Sequence, residues 1–308
     1  MTSLRSALRD YLALRRSLGY KLDRAGRLLA QFVAYCEAAG ADTVTTRLAL
    51  SWATLPPGGG SRWLAMRLSV VRGFARHLAL LDERTEVPPA DLLPDRGRRA
   101  TPYLYSPEEV LRLMAAAGKL PSPLRRATFS ALVGLLYVTG IRIGEALRLD
   151  RDDVDLAGRV LMVRGSKFGK SREIPVHDST ARALRTYAGR RDQLCPQPSS
   201  AAFFVSLAGT RLRYDGFHLT FLGLVREAGL TPRSATCRPR PHDLRHTFAV
   251  STLIGWYRDG VDVEPRLARL STYLGHVHPA NTYWYLQAAP ELLSLAAARL
   301  EAATGESS

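Results

Sequence analysis

The stretch from His242 to Tyr285 brings together imidazoles, a guanidinium and phenols, the groups needed to bind a phosphate, move a proton and attack phosphorus. His242 and Arg245 are three apart, so on a helix they share a face and can converge on one anion. Asp243, after Pro241 and ahead of an apolar run, is the expected start of that helix. Further on, His276 follows Leu274-Gly275, where the glycine reads as a helix stop that turns the next side chain back toward the site. Tyr285 lies nine residues beyond His276, in the run Tyr283-Trp284-Tyr285.

Taken singly these pieces are common: His-x-x-Arg occurs in surface salt bridges, and aromatic runs fill cores. A second cluster about a hundred residues upstream changes the weight. In Thr139-Gly140-Ile141-Arg142-Ile143-Gly144-Glu145, Gly140 breaks a long apolar helix, Arg142 sits on the break, and Glu145 is placed one turn later to hold its fork. Two competing chemistries fit less well. Gly169-Lys170-Ser171 looks like the end of a nucleotide-binding loop, but Arg164 stands where that loop requires glycine. His242 and His246 have metal-ligand spacing, yet Asp243 stands where a metalloprotease helix has glutamate, and Arg245 would bring a cation beside the metal. His246 and His278 read as packing or hydrogen-bonding residues.

In order and spacing, Thr139-Gly140-Ile141-Arg142-x-x-Glu145, a basic hairpin, His242-x-x-Arg245, Leu274-Gly275-His276 and Tyr285 resemble the tyrosine recombinase, or phage integrase, family over roughly residues 102–300. The resemblance implies a catalytic set of Arg142, Lys167, His242, Arg245, His276 and the nucleophile Tyr285, with Glu145 in support. Lys167 is chosen over Lys170 because it stands eight residues before Pro175, as the family pattern places it. The implied activity is site-specific cleavage and rejoining of DNA strands through a 3′-phosphotyrosyl intermediate, with no cofactor. The implied partner is a double-stranded recombination site held by a homotetramer, with room for a partner recombinase. Two alternatives remain at this point: a type IB topoisomerase, which uses the same chemistry as a monomer, and a non-catalytic DNA-binding regulator of the same fold.

The elements that must position these residues are mainly helical, with a small β-sheet, an α+β chain. Helical periodicity runs over Leu4–Leu18, with Leu8, Tyr11, Leu12 and Leu18 inward, then Ala25–Ala39, Thr45–Thr54 and Ser61–Leu81. Arg62, Arg67, Arg72 and Arg76 fall on the polar positions of the last helix and suggest a basic outer face for DNA. Residues 1–84 thus form a helical amino-terminal DNA-binding domain. Residues 85–105, rich in proline and carrying Arg96, Arg98 and Arg99, read as an extended basic linker along a phosphate backbone. Residues 106–308 form the catalytic domain. There Ser106-Pro107-Glu108-Glu109 is a capping box. Helices are expected over Pro107–Ala117, Pro123–Thr139, Asp178–Arg191, Tyr214–Ala228, His242–Trp256, Glu264–Tyr273 and Glu291–Ala303. Strands Arg159–Val163 and Arg172–Val176 form a hairpin with Lys167 and Lys170 in its loop, and Ala202–Val205 is the candidate third strand. The terminal apolar stretch with Leu292, Leu293, Leu295 and Leu300 is a candidate contact to a neighbouring protomer.

Length suits two domains, each able to bury a core. Cys36, Cys195 and Cys237 form no CxxC pair and no disulfide framework, which fits a reducing cytoplasm. No stretch has the length of a membrane span or the pattern of a secretion signal, so the expected location is cytoplasmic, at the nucleoid. The 43 Lys and Arg against 28 Asp and Glu give a net charge of +15, spread through the chain and rich in arginine, which implies a polyanionic partner. Neutralising several phosphates releases their counterions, so duplex binding should fall on the order of a thousand-fold or more between about 50 and 200 mM salt. A salt titration of duplex affinity checks this, and a flat response contradicts it.

Overall fold

The computed structural model describes residues 3–55, 57–94, 101–165, 171–276, 282–283, 285, 292–295 and 297. The chain forms two compact units, Met1–Arg99 and Ala100–Ser308.

In the first unit four helices, α1 (Leu4–Ser17), α2 (Asp23–Ala38), α3 (Thr46–Thr54) and α4 (Ser61–Leu78), bury one apolar stripe each. Ser3 and Thr45 cap α1 and α3 by accepting from the Ser6 and Leu48 backbone N–H groups. Leu8, Leu29, Phe32, Trp52, Leu68 and Phe74 meet in the core. Leu18 does not join them: α1 stops at Ser17, and Leu18 is the exposed cap residue.

Arg67 departs from the expected outer basic face. Its side chain is buried, donates from Nη2 to the Trp52 carbonyl at 2.7 Å and lies 3.7 Å over the Trp52 ring. The physical reason is its place on the turn of α4 that faces α3, where a guanidinium can satisfy a carbonyl and rest on an indole face. Arg62 and Arg76 are exposed. Arg72 donates to the Pro88 and Pro89 carbonyls, both at 2.7 Å, and so clasps residues expected to be a free linker. That segment is held further by the Glu86 N–H on the Val44 carbonyl, while Tyr103 and Tyr105 are buried in the second unit. Among the described residues of 85–105, then, Pro88 and Pro89 are fastened within the first unit and Tyr103 and Tyr105 are packed within the second. Arg96, Arg98, Arg99, Lys167 and Lys170 lie outside the described residues.

The second unit contains α5 (Pro107–Gly118), α6 (Pro123–Thr139), the short α7 (Ile143–Ala146), α8 (Asp178–Leu194), α9 (Tyr214–Glu227), α10 (Pro241–Arg258) and α11 (Glu264–Leu274). A three-stranded antiparallel sheet, β1 (Val154–Asp155), β2 (Val160–Val163) and β3 (Arg172–Pro175), is ordered β1-β2-β3. Its third strand is Val154–Asp155, not Ala202–Val205. Ala202 makes an isolated bridge to Asp150, and adjacent Phe203 and Phe204 are both buried, so the segment serves as core filling rather than an alternating strand. Helix α10 starts earlier than Asp243: Arg240 is the N-cap residue and Pro241 takes the first turn. It buries residues on most of its circumference, among them Leu244, Arg245, Thr247, Val250 and Leu253, and so runs through the interior. Of the terminal stretch Glu291–Ala303, residues 292–295 and 297 are helical. No helix among the described residues is long and apolar enough to cross a membrane.

Arg67→Ala should lower stability by about 2–4 kcal/mol, because it leaves the Trp52 carbonyl with only the long 3.4 Å bond from the Leu55 N–H and opens a cavity beside the indole. Arg62→Ala should stay within about 0.5 kcal/mol of the parent. Urea denaturation of the full chain distinguishes the two.

Candidate active site

Three guanidiniums meet at the end of α11. The last carbonyls of a helix have no partner within it. Here the Ser271 and Thr272 carbonyls are closed by the His276 and Gly275 N–H groups, and the next three each accept from a different arginine. Arg172 Nε reaches the Tyr273 oxygen at 2.9 Å, Arg245 Nη2 the Leu274 oxygen at 2.6 Å, and Arg142 Nη2 the Gly275 oxygen at 2.9 Å. The negative end of the helix dipole favours the same cations.

Each arginine is delivered by a different element. Helix α6 ends on Gly140 in the left-handed conformation, with φ of 60°, and the chain turns sharply into Arg142, the N-cap residue of α7. A Cβ at Gly140 would meet the Phe248 ring at 2.5 Å, so both the angle and the close approach require glycine. Arg245 comes from the buried side of α10 and donates Nη1 to the Gly140 carbonyl at 2.7 Å. Arg172 comes from β3.

Glu145, one turn into α7, is buried and accepts four hydrogen bonds. Oε1 takes Arg142 Nη1 at 2.8 Å and Arg172 Nη1 at 3.2 Å, and Oε2 takes the Arg142 backbone N–H at 3.1 Å and Arg172 Nη2 at 2.8 Å. That fills the capacity of a carboxylate. Burial alone would raise its pKa, but Arg172 and then Arg142 outweigh burial and hold it at about 2. Among the described residues Arg245 pairs with no carboxylate; burial first, and then the Arg142 charge, bring its pKa down to about 10. The cluster therefore keeps more positive than negative charge in a partly enclosed place.

His276 follows Gly275, whose φ of 67° turns it inward, and its Nδ1 is 2.7 Å from Thr282 Oγ1. Burial, followed by the charges of Arg245 and Arg142, lowers its pKa to about 3, so it is neutral at physiological pH and can donate one hydrogen bond from its ring. Tyr285 is buried, its ring 6.0 Å from that of His276 and 5.4 Å from that of His246, and its phenol lies within electrostatic range of Arg245. Tyr283 is half-exposed. His242 is exposed in the first turn of α10 and stands edge-on to His246, 4.8 Å between ring centres. Asp243, below them, is fully buried and held by Arg240 through two bonds of 2.9 and 2.8 Å. An open groove of about 1000 Å³ lies elsewhere, among apolar residues of α5, α6 and α8 such as Leu111, Met114 and Val138. Among the described residues no group of three or more His, Cys, Asp or Glu is placed to hold a metal ion.

The structure thus brings together Arg142, Glu145, Arg245, His276 and Tyr285, with His242 at their edge. It adds Arg172, which the sequence reading passed over as a strand residue. A signal was present: Arg172 alternates with buried Ile174, so both face inward, and an inward arginine on a strand needs a buried partner. Thr282 was missed because nothing in its neighbours marks it.

A sequence model of the phage integrase family matches residues 104–291. A putative integrase/recombinase of Sinorhizobium fredii, y4rB, is 47% identical over 98% of this chain and 98% of its own. Tyrosine recombinase XerC of Azotobacter vinelandii is 33% identical over 91% of this chain and 89% of its own. Among solved structures, the integrase of transposon Tn1549, in complex with transposon right end DNA, has the same fold, with a TM-score of 0.65 over 97% of this chain and 99% of that one at 19% identity.

The depressed pKa of His276 links folding to pH. Unfolded, the ring takes a proton near its ordinary 6.5; folded, it refuses one until about 3. Stability is therefore lost as pH falls from about 6.5 toward 3, and Glu145, at about 2 against 4.5, adds a loss in the lower part of that window. His276→Gln should flatten the loss between about pH 6.5 and 5.5, above the range in which Glu145 titrates. Denaturation midpoints of both proteins across that interval provide the check.

Proposed function

Because the chain belongs to the phage integrase family of tyrosine recombinases, site-specific enzymes that break and rejoin DNA strands, we propose that Arg142, Lys167, His242, Arg245, His276 and Tyr285 carry that reaction here. The observation that supports this most is the unbalanced charge at the end of α11: three guanidiniums around one carboxylate, with a buried tyrosine alongside. The relatives are integrases and recombinases, so the topoisomerase alternative gains nothing from them.

A phosphodiester resists attack because its negative oxygens repel nucleophiles and its leaving alkoxide is poor. The described residues occupy two of the five N–H groups on each of the Arg142 and Arg245 guanidiniums, which leaves others to grip the non-bridging oxygens. Neutral His276 donates a hydrogen bond to the same phosphate. The Tyr285 oxygen bonds to phosphorus as its proton leaves toward His242, the bond from phosphorus to the 5′-oxygen breaks, and Lys167 supplies the proton that oxygen takes up. The covalent ester preserves the energy of the broken bond, so a second 5′-hydroxyl reverses the sequence without a cofactor. Exchange between two duplexes requires four active sites, which makes a homotetramer on paired recombination sites, in the cytoplasm at the nucleoid, the working assembly. The basic positions Arg62 and Arg76 serve the duplex, and Arg96, Arg98, Arg99 and Lys170 are assigned with them on charge alone.

Tyr285 and Tyr283 are two residues apart and point about 200 degrees apart on a helix, so one phosphorus can meet only one of them. The protein is incubated with sheared duplex DNA from its own genome, and protein–DNA adducts that survive denaturation are recovered and their DNA sequenced. Tyr283→Phe should still yield adducts at one recurrent site, and Tyr285→Phe should bind but yield none. A phosphotyrosyl peptide at Tyr283, or adducts from Tyr285→Phe, overturns the assignment.

A further inference from the structure

Arg172 is the one member of the α11 cluster that the chemistry above leaves without a task. Its side chain is nearly enclosed, at 12% exposure, on the inward face of β3, where it pairs in register with buried Val163. All three of its nitrogens are engaged: Nε on the Tyr273 carbonyl, Nη1 and Nη2 on Glu145. Gly275 fits closely against it, since a Cβ there would come within 2.8 Å of Nη1.

We propose that Arg172 is a positioning residue for strand cleavage, which shares the Glu145 carboxylate with Arg142 and so keeps the Arg142 charge available to the scissile phosphate. This rests on the reading of Arg142 as a phosphate grip. With Arg172 present, the one carboxylate divides its four acceptor positions between two arginines, and the group Arg142, Arg172 and Glu145 carries one net positive charge. Without it, Glu145 has only Arg142 to neutralise. The Arg142 fork then closes on both carboxylate oxygens, the preferred geometry of an isolated pair, and turns away from the Gly275 carbonyl and the phosphate. The pair has no net charge to offer. The inward turn of His276 depends on the same contact, because the Tyr273 carbonyl that Arg172 holds lies two residues before Gly275.

The test uses duplexes bearing the site recovered by covalent capture, with the scissile position either a phosphodiester or a methylphosphonate, in which a methyl group replaces one charged oxygen. A neutral phosphorus group needs no charge neutralisation, so it relieves defects in that function alone. Adduct formation is followed in a single turnover for the parent, Arg142→Ala and Arg172→Met. On the phosphodiester, Arg172→Met should be slower on the order of 10- to 100-fold, with duplex binding nearly unchanged. On the methylphosphonate its deficit should shrink to a few-fold, in parallel with Arg142→Ala. An equal deficit on both substrates while Arg142→Ala is relieved would overturn the proposal and leave Arg172 a structural residue. If Arg142→Ala is not relieved, the grip reading fails and the inference goes with it. Should Arg172→Met not fold, Arg172→Lys, which keeps the cation and loses the fork, carries the same comparison.

Discussion

The site depends on the unsatisfied carbonyls at one helix end. Any helix finishing in a protein interior must find donors for its last oxygens or lose stability for each one left bare. Helix α11 finds them in Arg172, Arg245 and Arg142, one apiece for Tyr273, Leu274 and Gly275. The arrangement satisfies the helix and at the same time fixes the direction of three long, otherwise flexible side chains. Elements spread over more than a hundred residues of chain, the α6–α7 turn, β3 and α10, are thereby registered on a single point. Two left-handed glycines, Gly140 and Gly275, allow the chain to come close enough for this to happen.

The electrostatic consequence is a site charged in advance. A buried guanidinium normally has a carboxylate beside it, because an uncompensated charge out of water is costly. In this cluster Glu145 compensates Arg142 and Arg172, while Arg245 leans on carbonyl dipoles alone among the described residues. Burial, and after it the charges of Arg245 and Arg142, keeps His276 neutral, so the imidazole adds no further cation to the site. In the proposed reaction a phosphate entering the site provides the missing anion and requires little rearrangement of the groups that receive it.

Much of this was legible in the sequence because it was written in short, punctuated motifs. Gly140 before Arg142, Gly275 before His276, and the three-residue step from His242 to Arg245 each combine a conformational requirement with a chemical group. The capping box at Ser106 and Glu109 was equally readable. What escaped was set by tertiary neighbours. The helical period placed Arg67 on the polar side of α4, but the facing Trp52 carbonyl and indole drew it inward. Arg172 looked like ordinary hairpin charge until Glu145, nearly thirty residues upstream, supplied its partner. Proline content suggested a loose connection at 85–105, and it was Arg72 that tied down Pro88 and Pro89.

The order of these groups along the chain has a consequence for the timing of activity. The carbonyl that orients Arg142 belongs to Gly275, 133 positions later, and Tyr285 comes later still. A ribosome-bound fragment holding Arg142, Glu145 and Arg172 has neither the helix end that aims them nor the Tyr285 phenol. The three guanidiniums and the buried phenol thus come together only when late-made segments close over early ones.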